Sequence, residues 1–312
     1  MRYRVLGQTG LSVSVIGLGC NHLGSWRGKS RGDMMRLLEH AVDRGITFFD
    51  TADVYMHGES EAILGEVLSQ RRDQVVIATK AGFRRPLSGP VMARVRPYLW
   101  SAMQRVPTLH RALTRTRRLL MRQDFSIEYL RSAVDASLKR LRTDRIDLLQ
   151  LHSPPPSAIA RDGALETLQR LRSEGKLRFY GLSFGTAHEA QLGPDDGGVS
   201  TLQLPICARA PGAADGILTR ARQRCIGVIA NQPLMKGTIL LNGAAPEAPA
   251  ARIRSLAQGA MRYATDLPGV TVAIMGTTST AHLDENVAAL DSPPLSHEEL
   301  EWLRGDRQQC DG

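Results

Sequence analysis

Short apolar runs alternate with amphipathic stretches along almost the whole chain of 312 residues. Most of the runs are apolar at nearly every position instead of every second one, which is typical of strands buried on both faces of a parallel sheet. The pattern predicts eight such strands, at residues 13–19, 46–50, 74–80, 145–152, 178–183, 200–204, 226–230 and 271–275.

The amphipathic stretches predict helices between these strands. They lie at about 32–44, 59–70, 127–141, 163–174, 213–224 and 250–264. In the third of them, Ser126 is placed to cap the N-terminus, and apolar residues recur at helical spacing from Leu130 to Leu141. Strand–helix units repeated without a linker favour an α/β fold of the (β/α)8 TIM-barrel type over a doubly wound sheet. We therefore expect a single domain spanning residues 1–312.

The segment before the first barrel strand reads MRYRVLGQTGLSV, with a Thr-Gly turn between two short β-prone pieces. This pattern predicts an N-terminal β-hairpin that plugs the bottom of the barrel. Gly17 and Gly19 begin a G-x-G motif, but no third glycine follows at the required place. The dinucleotide-binding fingerprint of a Rossmann fold is therefore not supported.

Composition places the chain among ordinary soluble proteins, with 42% apolar and 23% charged residues. No apolar run is long enough to predict a membrane-spanning helix, and the N-terminus lacks the small-residue cleavage site of a signal peptide. The four cysteines show no metal-type spacing, which favours reduced thiols and a cytoplasmic location. They are Cys20, Cys207, Cys225 and Cys310.

The net charge of +9 comes from one segment. Between Arg84 and Asp124 there are ten arginines and one acid, whereas the remaining chain carries 30 basic and 30 acidic residues. We interpret residues 84–125 as a basic insert after the third strand, made of two amphipathic helices hinged at Pro107 and overhanging the barrel mouth as a lid. The alternatives are a docking surface for an acidic protein, a contact between copies of the chain, or attachment to an anionic membrane surface. Nucleic-acid binding is disfavoured, because few aromatic residues interleave with the arginines.

Polar residues stand where three neighbouring predicted strands end. Asp50 ends the second strand, Lys80 the third and His152 the fourth, and Tyr55 lies in the loop just after Asp50. Because the C-terminal ends of barrel strands converge at the mouth, where active sites lie, we expect these four side chains to meet there.

These four residue types together make a proton donor. An ammonium beside a tyrosine favours phenolate and so lowers the pKa of the phenol, and a carboxylate that pairs with the lysine holds it in place. Tyr55, Lys80 and Asp50 thus predict a general acid, and a neutral His152 would hydrogen-bond the oxygen that Tyr55 protonates. Protonation of a carbonyl oxygen accompanies hydride delivery to its carbon, which requires a nicotinamide cofactor.

The blocks DTADVYMHGESE, VVIATKAG and DLLQLHSP resemble those around the catalytic tetrad of the aldo-keto reductases. VLGQTGLSVSVIGLG is similar to that family's N-terminal hairpin and first strand, and LDEN at 283–286 to its late cofactor-binding helix. The resemblance spans nearly all of the chain except residues 84–125. It implies NADPH-dependent reduction of an aldehyde or ketone, or the reverse oxidation, with Asp50, Tyr55, Lys80 and His152 as the tetrad.

The resemblance also implies a set of cofactor-binding positions. They are Gly19, Ser183, Gln203, Pro233, Leu234, Gly276, Thr277, Thr278, His282, Glu285 and Asn286. Within this set, Ser183 and Gln203 correspond to residues that hold the nicotinamide carboxamide. Glu285 and Asn286 correspond to residues near the adenine.

The chain departs from the family pattern at several of these positions. Phe184 replaces the usual Asn after the serine, and Asn231 stands where an aromatic residue commonly stacks on the nicotinamide. Gly276 and His282 occupy places where many members hold the 2′-phosphate with basic residues. A helix N-terminus near Thr277 would still bind a phosphate through backbone N–H groups. NADPH (NADP⁺) is therefore the expected cofactor and NADH the alternative.

The apolar residues of the insert, such as Tyr98 and Trp100, predict a bulky, largely hydrophobic carbonyl substrate. The alternative function is a non-catalytic, cofactor-binding regulatory subunit that docks a partner through the insert. Two further histidines stay open: His57 faces either solvent or substrate, and His22 either contacts the bound molecules or does not. No metal site is expected, because the short-spaced ligand pattern is missing.

Overall fold

Eight parallel strands close into a barrel in the computed structural model, which describes residues 1–24, 29–84, 122–160, 163–191, 198–240 and 255–304. The strands follow one another around the barrel in chain order. They are β3 (Ile16–Gly19), β4 (Phe48–Asp50), β5 (Val76–Ala81), β8 (Ile146–His152), β9 (Leu177–Ser183), β10 (Thr201–Pro205), β11 (Gly227–Asn231) and β12 (Val270–Gly276). Every strand predicted from the apolar runs is present, and the predicted (β/α)8 barrel is confirmed.

Helices connect the strands on the outside of the barrel. The α-helices are Arg31–Asp43, Glu59–Leu68, Ile127–Leu141, Pro156–Ala160, Ala164–Ser173, Ala187–Gln191, Asp215–Gln223, Leu256–Asp266, Thr280–Ala288 and His297–Arg304. Short 3-10 segments lie at Gly7–Thr9, Tyr55–Gly58, Ser69–Gln74, Met235–Leu240 and Ala289–Asp291. Ser126 accepts a hydrogen bond from the Tyr129 amide, as predicted for the N-cap of the third helix. None of the described helices is long and apolar enough to cross a membrane.

An antiparallel hairpin lies against one end of the barrel. Its strands β1 (Tyr3–Val5) and β2 (Ser12–Ser14) pair directly. Apolar hairpin residues form one buried cluster with inward-facing barrel residues, among them Leu6, Leu11, Val13, Phe48, Val76, Leu148 and Ile229. Gly7 contacts the start of β11 so closely that an added Cβ would lie 2.4 Å from the Gly227 nitrogen. Apolar side chains thus fill this end of the interior, and the polar strand ends lie at the other.

The helix after the Tyr55 turn is fixed by a buried carboxylate. Glu61 is fully buried and accepts hydrogen bonds from Thr79 Oγ1 and Arg140 Nε, each at 2.7 Å. These bonds join helix Glu59–Leu68 to β5 and to helix Ile127–Leu141. A buried charge is tolerated when it is paired and hydrogen-bonded in this way, and the anchoring holds the turn that carries Tyr55.

The ends of the basic insert are tied together beside the barrel mouth. Strand β6 (Phe83–Arg84) pairs antiparallel with β7 (Arg122–Gln123), and Gln123 Nε2 donates to the Ser153 carbonyl at 2.6 Å. The insert thus leaves and rejoins the barrel next to the loop that follows His152. Residues 85–121, which carry the predicted lid, lie outside the described residues.

Candidate active site

The polar strand ends point into the barrel because side chains alternate along a strand. Asp50 lies two residues after the interior residue Phe48, and Lys80 two residues after Ala78. His152 follows the same alternation on β8, and its backbone pairs with Ser183 on β9. The three side chains therefore reach the interior at the C-terminal ends of adjacent strands, as expected from the sequence.

Asp50 and Lys80 form a buried ion pair. Lys80 Nζ donates to both carboxylate oxygens of Asp50 at 2.7 Å and to the Thr51 carbonyl at 2.8 Å. Burial alone would lower the pKa of Lys80, but the attraction of Asp50 and Tyr55 outweighs it, so that this pKa lies above its ordinary value. Burial raises the pKa of Asp50, against the stabilisation that Lys80 and Gln203 give to its carboxylate. The two short bonds from the Lys80 ammonium to the Asp50 carboxylate favour the ionic form of the pair.

Tyr55 faces this pair from a strained turn. Lys80 Nζ lies 5.1 Å from the centroid of the Tyr55 ring. The next two residues, Met56 and His57, adopt left-handed backbone angles with φ of 46° and 61°. Such angles are uncommon outside glycine, and here they fold the chain back toward helix Glu59–Leu68.

The predicted lowering of the Tyr55 pKa is wrong for the protein alone. Burial raises the pKa of Tyr55 above its ordinary value, and the attraction of the Lys80 ammonium only partly offsets this effect. The reason is that Lys80 is neutralised by Asp50, so that the phenol meets an ion pair and not a free cation. Tyr55 consequently keeps its proton at neutral pH, and its phenol is able to donate that proton.

His152 is neutral, as the sequence interpretation required. Burial and, secondarily, the Lys80 ammonium lower the pKa of His152 to about 3. Its ring packs edge-on against Phe83 at 4.9 Å between centroids and against Tyr55 at 6.0 Å. Its Nδ1 is buried and has no hydrogen-bond partner among the described residues. A neutral imidazole in this place is able to hydrogen-bond a substrate oxygen beside Tyr55.

The residues expected to hold a nicotinamide lie next to this group. Ser183 is buried at the end of β9 and Gln203 in the middle of β10, and their backbones pair with each other. Gln203 Oε1 accepts a hydrogen bond from Gln150 Nε2 at 2.8 Å. Phe184, which replaces the family's Asn, is buried, and its amide donates to the Gln203 carbonyl at 2.8 Å.

The position of the missing aromatic platform lies at the end of β11. Asn231 is half-buried, and its Oδ1 has no hydrogen-bond partner among the described residues. Pro233 is buried and Leu234 half-buried in the turn that follows. Both residues are apolar and follow Asn231 closely in the chain.

The remaining candidate cofactor residues lie around the end of β12. Gly276 pairs with Gly19, and an added Cβ on Gly19 would lie 2.7 Å from Ile274 Cγ2. Thr277 and Thr278 lead into helix Thr280–Ala288, whose N-cap Ser279 accepts from the amide of His282. The imidazole of His282 is exposed, Glu285 is half-buried and Asn286 is buried.

Asn286 fits a nucleotide on structural grounds. Its Oδ1 is buried without a hydrogen-bond partner in the described part of the chain. A buried acceptor of this kind normally has a partner, and the exocyclic amine of an adenine is a donor that would supply one. The residues present at this mouth therefore fit a dinucleotide.

Sequence reasoning missed two neighbours of the tetrad. Phe83, which packs on His152, stands in an unremarkable Gly-Phe-Arg stretch that gave no signal. Gln150 did give one, because it interrupts the apolar run Leu148–Leu151. His22 is half-buried beside Asn21, with 3.3 Å between Asn21 Nδ2 and its Nε2. No cluster of three or more metal-ligating side chains occurs within the described ranges.

Comparison with known proteins agrees with this geometry. Residues 15–305 match the Aldo/keto reductase family. The oxidoreductase YqkF of Bacillus subtilis (strain 168), itself uncharacterized, is 27% identical over 335 aligned positions that cover 99% of this chain and 97% of that protein. Among solved structures, the holo form of aldo-keto reductase AKR11C1 from Bacillus halodurans has a TM-score of 0.74 at 24% identity, covering 98% of this chain and 96% of that one.

A second solved structure carries ligands. It is an aldo/keto reductase from Klebsiella pneumoniae in complex with NADP and acetate, with a TM-score of 0.69 at 24% identity, covering 100% of this chain and 98% of that one. At this identity the two structures establish the shared fold, and the family match spans all eight strands of the barrel. The chain belongs to the aldo/keto reductase family and is an oxidoreductase.

Proposed function

We propose that the protein reduces an aldehyde or ketone to an alcohol with NADPH, and that Tyr55 is the general acid. The observation that carries the proposal is the enclosure of a protonated Tyr55 between a buried Asp50–Lys80 pair and a neutral His152. The NADP complex of the Klebsiella pneumoniae relative supports the choice of cofactor.

The side chains divide the work at the carbonyl oxygen. His152, being neutral, orients and polarises this oxygen by a hydrogen bond, and Tyr55 Oη gives it a proton. The hydride for the carbonyl carbon would come from the dihydronicotinamide of a bound NADPH. The phenolate left on Tyr55 is stabilised by the Lys80 ammonium, and Asp50 keeps that ammonium in place until a solvent proton restores the phenol.

The cofactor would lie across the C-terminal ends of β9 to β12. Ser183 and Gln203 would hold its carboxamide, and Pro233 with Leu234 would contact the ring in place of the missing aromatic. Gly276 to Thr278 and the capped end of helix Thr280–Ala288 would hold the 2′-phosphate, with His282 beside it. Glu285 and Asn286 would contact the adenine.

The substrate is proposed to be bulky and largely apolar. Phe83 lines the mouth next to His152, and the sequence of the insert contributes further aromatic and aliphatic residues such as Tyr98 and Trp100. Deletion of residues 85–121 with a short linker should then lower kcat/KM for large ketones more than for small aldehydes. Equal kcat/KM ratios before and after deletion would remove the insert from substrate selection.

Two measurements test the proposal in order. Titration of the protein's fluorescence with NADPH and with NADH should give tighter binding of NADPH, and the reverse preference would overturn the assignment of Gly276 to His282. Turnover is then followed at 340 nm with a panel of aldehydes and ketones. Tyr55→Phe should lose about 10²–10⁴-fold in kcat and still bind NADPH, and a variant that kept its activity would disprove the role of Tyr55.

A further inference from the structure

Gln150 is a fully buried amide in the barrel interior. On β8 its backbone pairs with that of Lys80, and its other neighbours along the strand are leucines at 148, 149 and 151. Burying an amide costs free energy unless it is hydrogen-bonded, and leucine would fill the same volume without that cost. The presence of glutamine here therefore calls for a specific partner.

That partner is Gln203, whose side chain also hydrogen-bonds Asp50. Since an ionised carboxylate only accepts hydrogen bonds, the Gln203 side chain meets Asp50 through its NH₂ group. The Gln203 Oε1 atom then faces the opposite way, where Gln150 Nε2 donates to it at 2.8 Å. Three side chains on three strands thus form a chain of hydrogen bonds, in which Gln150 donates to Gln203 and Gln203 donates to Asp50.

We propose that Gln150 is a positioning residue that fixes the orientation of the Gln203 amide. In this orientation Gln203 stabilises the Asp50 carboxylate, which in turn holds Lys80 against Tyr55. The inference rests on the proposed function, because it concerns the same tetrad.

Loss of Gln150 would remove the hydrogen bond that holds Gln203 Oε1 in place. The Gln203 side chain is then free to leave its rotamer and move its NH₂ group away from the carboxylate, so that Asp50 loses a donor. The other ionisable groups around Asp50 are Lys80 on β5, Tyr55 in the turn and Cys20 after β3. Only Lys80 is a cation among them, and therefore the carboxylate becomes harder to ionise when the Gln203 donor is lost.

The test compares Gln150→Leu with Thr201→Val as the matched control. Thr201 is equally buried on β10, the strand that carries Gln203, and its Oγ1 has no hydrogen-bond partner among the described residues. Gln150→Leu should lower kcat about 10-fold and move the acid limb of the kcat–pH profile to higher pH. Thr201→Val should change neither. Equal profiles for wild type and Gln150→Leu, or the same shift in both variants, would overturn the proposal.

Gln150→Glu provides an independent readout should Gln150→Leu fold poorly. A glutamate at this position donates to Gln203 Oε1 only when protonated, so that the activity of Gln150→Glu relative to wild type should rise as the pH falls. A ratio that does not change with pH contradicts the inference. Failure of the wild-type protein to turn over any carbonyl compound would instead reject the proposed function itself.

Discussion

Lys80 Nζ lies 2.7 Å from each of the two carboxylate oxygens of Asp50, and both side chains are almost completely buried. The ammonium also donates to the Thr51 carbonyl at 2.8 Å. Such a pair is costly to break, because either partner alone would be a charge in a medium that solvates it poorly. The pair is therefore expected to contribute to the stability of the fold as well as to the chemistry at Tyr55.

Breaking this pair from one side should cost far more than removing both partners. Lys80→Met leaves the Asp50 carboxylate buried without its cation and should lower the free energy of unfolding by about 3–5 kcal/mol. The double variant Asp50→Leu/Lys80→Met should lose clearly less unfolding free energy than the sum of the losses in the two single variants. Urea unfolding at pH 7 measures both, and additive effects would show that the pair is not coupled.

An exposed pair in the same protein is the control for that experiment. Arg131 and Glu174 lie 2.6 Å apart, with side chains that are 40% and 35% exposed. A surface pair of this kind contributes little to stability, because water solvates both charges. Arg131→Met should therefore shift the unfolding midpoint only slightly.

Neutral His152 makes folding sensitive to acid. The unfolded histidine takes up a proton near its ordinary pKa of 6.5, whereas the pKa of His152 in the fold is lowered to about 3. The unfolded state alone is thus stabilised by protonation below pH 6.5, and stability that is present above this pH is lost as the pH falls toward 3. Between pH 7 and pH 5 the loss from this residue is about 2 kcal/mol.

His152→Asn should remove that part of the pH dependence. The difference in unfolding free energy between pH 7 and pH 5 should then be about 2 kcal/mol smaller in the variant than in wild type. His188→Asn, at an exposed position of helix Ala187–Gln191, serves as the control and should leave the difference unchanged. An identical pH dependence in His152→Asn and wild type would mean that His152 is not held neutral.

Gly82 is required where the chain leaves β5 for the insert. Its φ is +141°, and an added Cβ would lie 2.5 Å from the Phe125 ring and 3.3 Å from the His152 carbonyl. Gly82→Ala should therefore destabilise the fold by more than about 2 kcal/mol and lower kcat, because Phe125 and the His152 strand end must move. Thermal unfolding and turnover report the two effects.

Gly175→Ala is the control that distinguishes the steric clash at Gly82 from the effect of backbone strain. Gly175 also has a left-handed φ, of +77°, but open space around the place of an added Cβ. Gly175→Ala should cost only about 1 kcal/mol and leave kcat unchanged. Equal losses of stability in the two variants would show that contact with Phe125 is unimportant.

Much of the barrel could be predicted from the sequence, because parallel strands buried on both faces give continuous apolar runs. Asp50, Lys80 and His152 stood out for the same reason, as polar residues at the ends of such runs. Helix His297–Arg304 was missed although Ser296 and Glu299 form a reciprocal capping box at its start. The helix Pro156–Ala160 has only five residues, too few to show a 3.6-residue period.

The direction of the Tyr55 pKa shift could not be predicted from the sequence in the same way. The sequence brought Lys80 near Tyr55, and a nearby cation lowers a phenol's pKa. Whether this attraction outweighs burial depends on how far Asp50 neutralises the ammonium, which is a property of distances in the fold. Likewise, Gln150 was visible as a polar interruption of β8, but its partner Gln203 lies 53 positions further along the chain.

Asn286 offers a way to separate cofactor binding from folding. Its buried Oδ1 has no partner among the described residues, so that replacement by leucine, of similar volume, removes an unsatisfied acceptor. Such a change is nearly neutral or stabilising for the protein alone. Asn286→Leu should therefore unfold within about 1 kcal/mol of wild type and yet bind NADPH roughly 10-fold more weakly, since an adenine amine would lose its acceptor.

Binding of cofactor fragments shows which part of NADPH loses its contact in Asn286→Leu. If Asn286 contacts the adenine, the variant should bind 2′,5′-ADP more weakly than wild type and nicotinamide mononucleotide equally well, as measured by calorimetry. Ser183→Ala should show the opposite selectivity, because it lies beside the tetrad on β9. Equal weakening of both fragments by Asn286→Leu would instead mean that the leucine disturbs helix Thr280–Ala288 as a whole, and the adenine contact would have to be assigned to another residue.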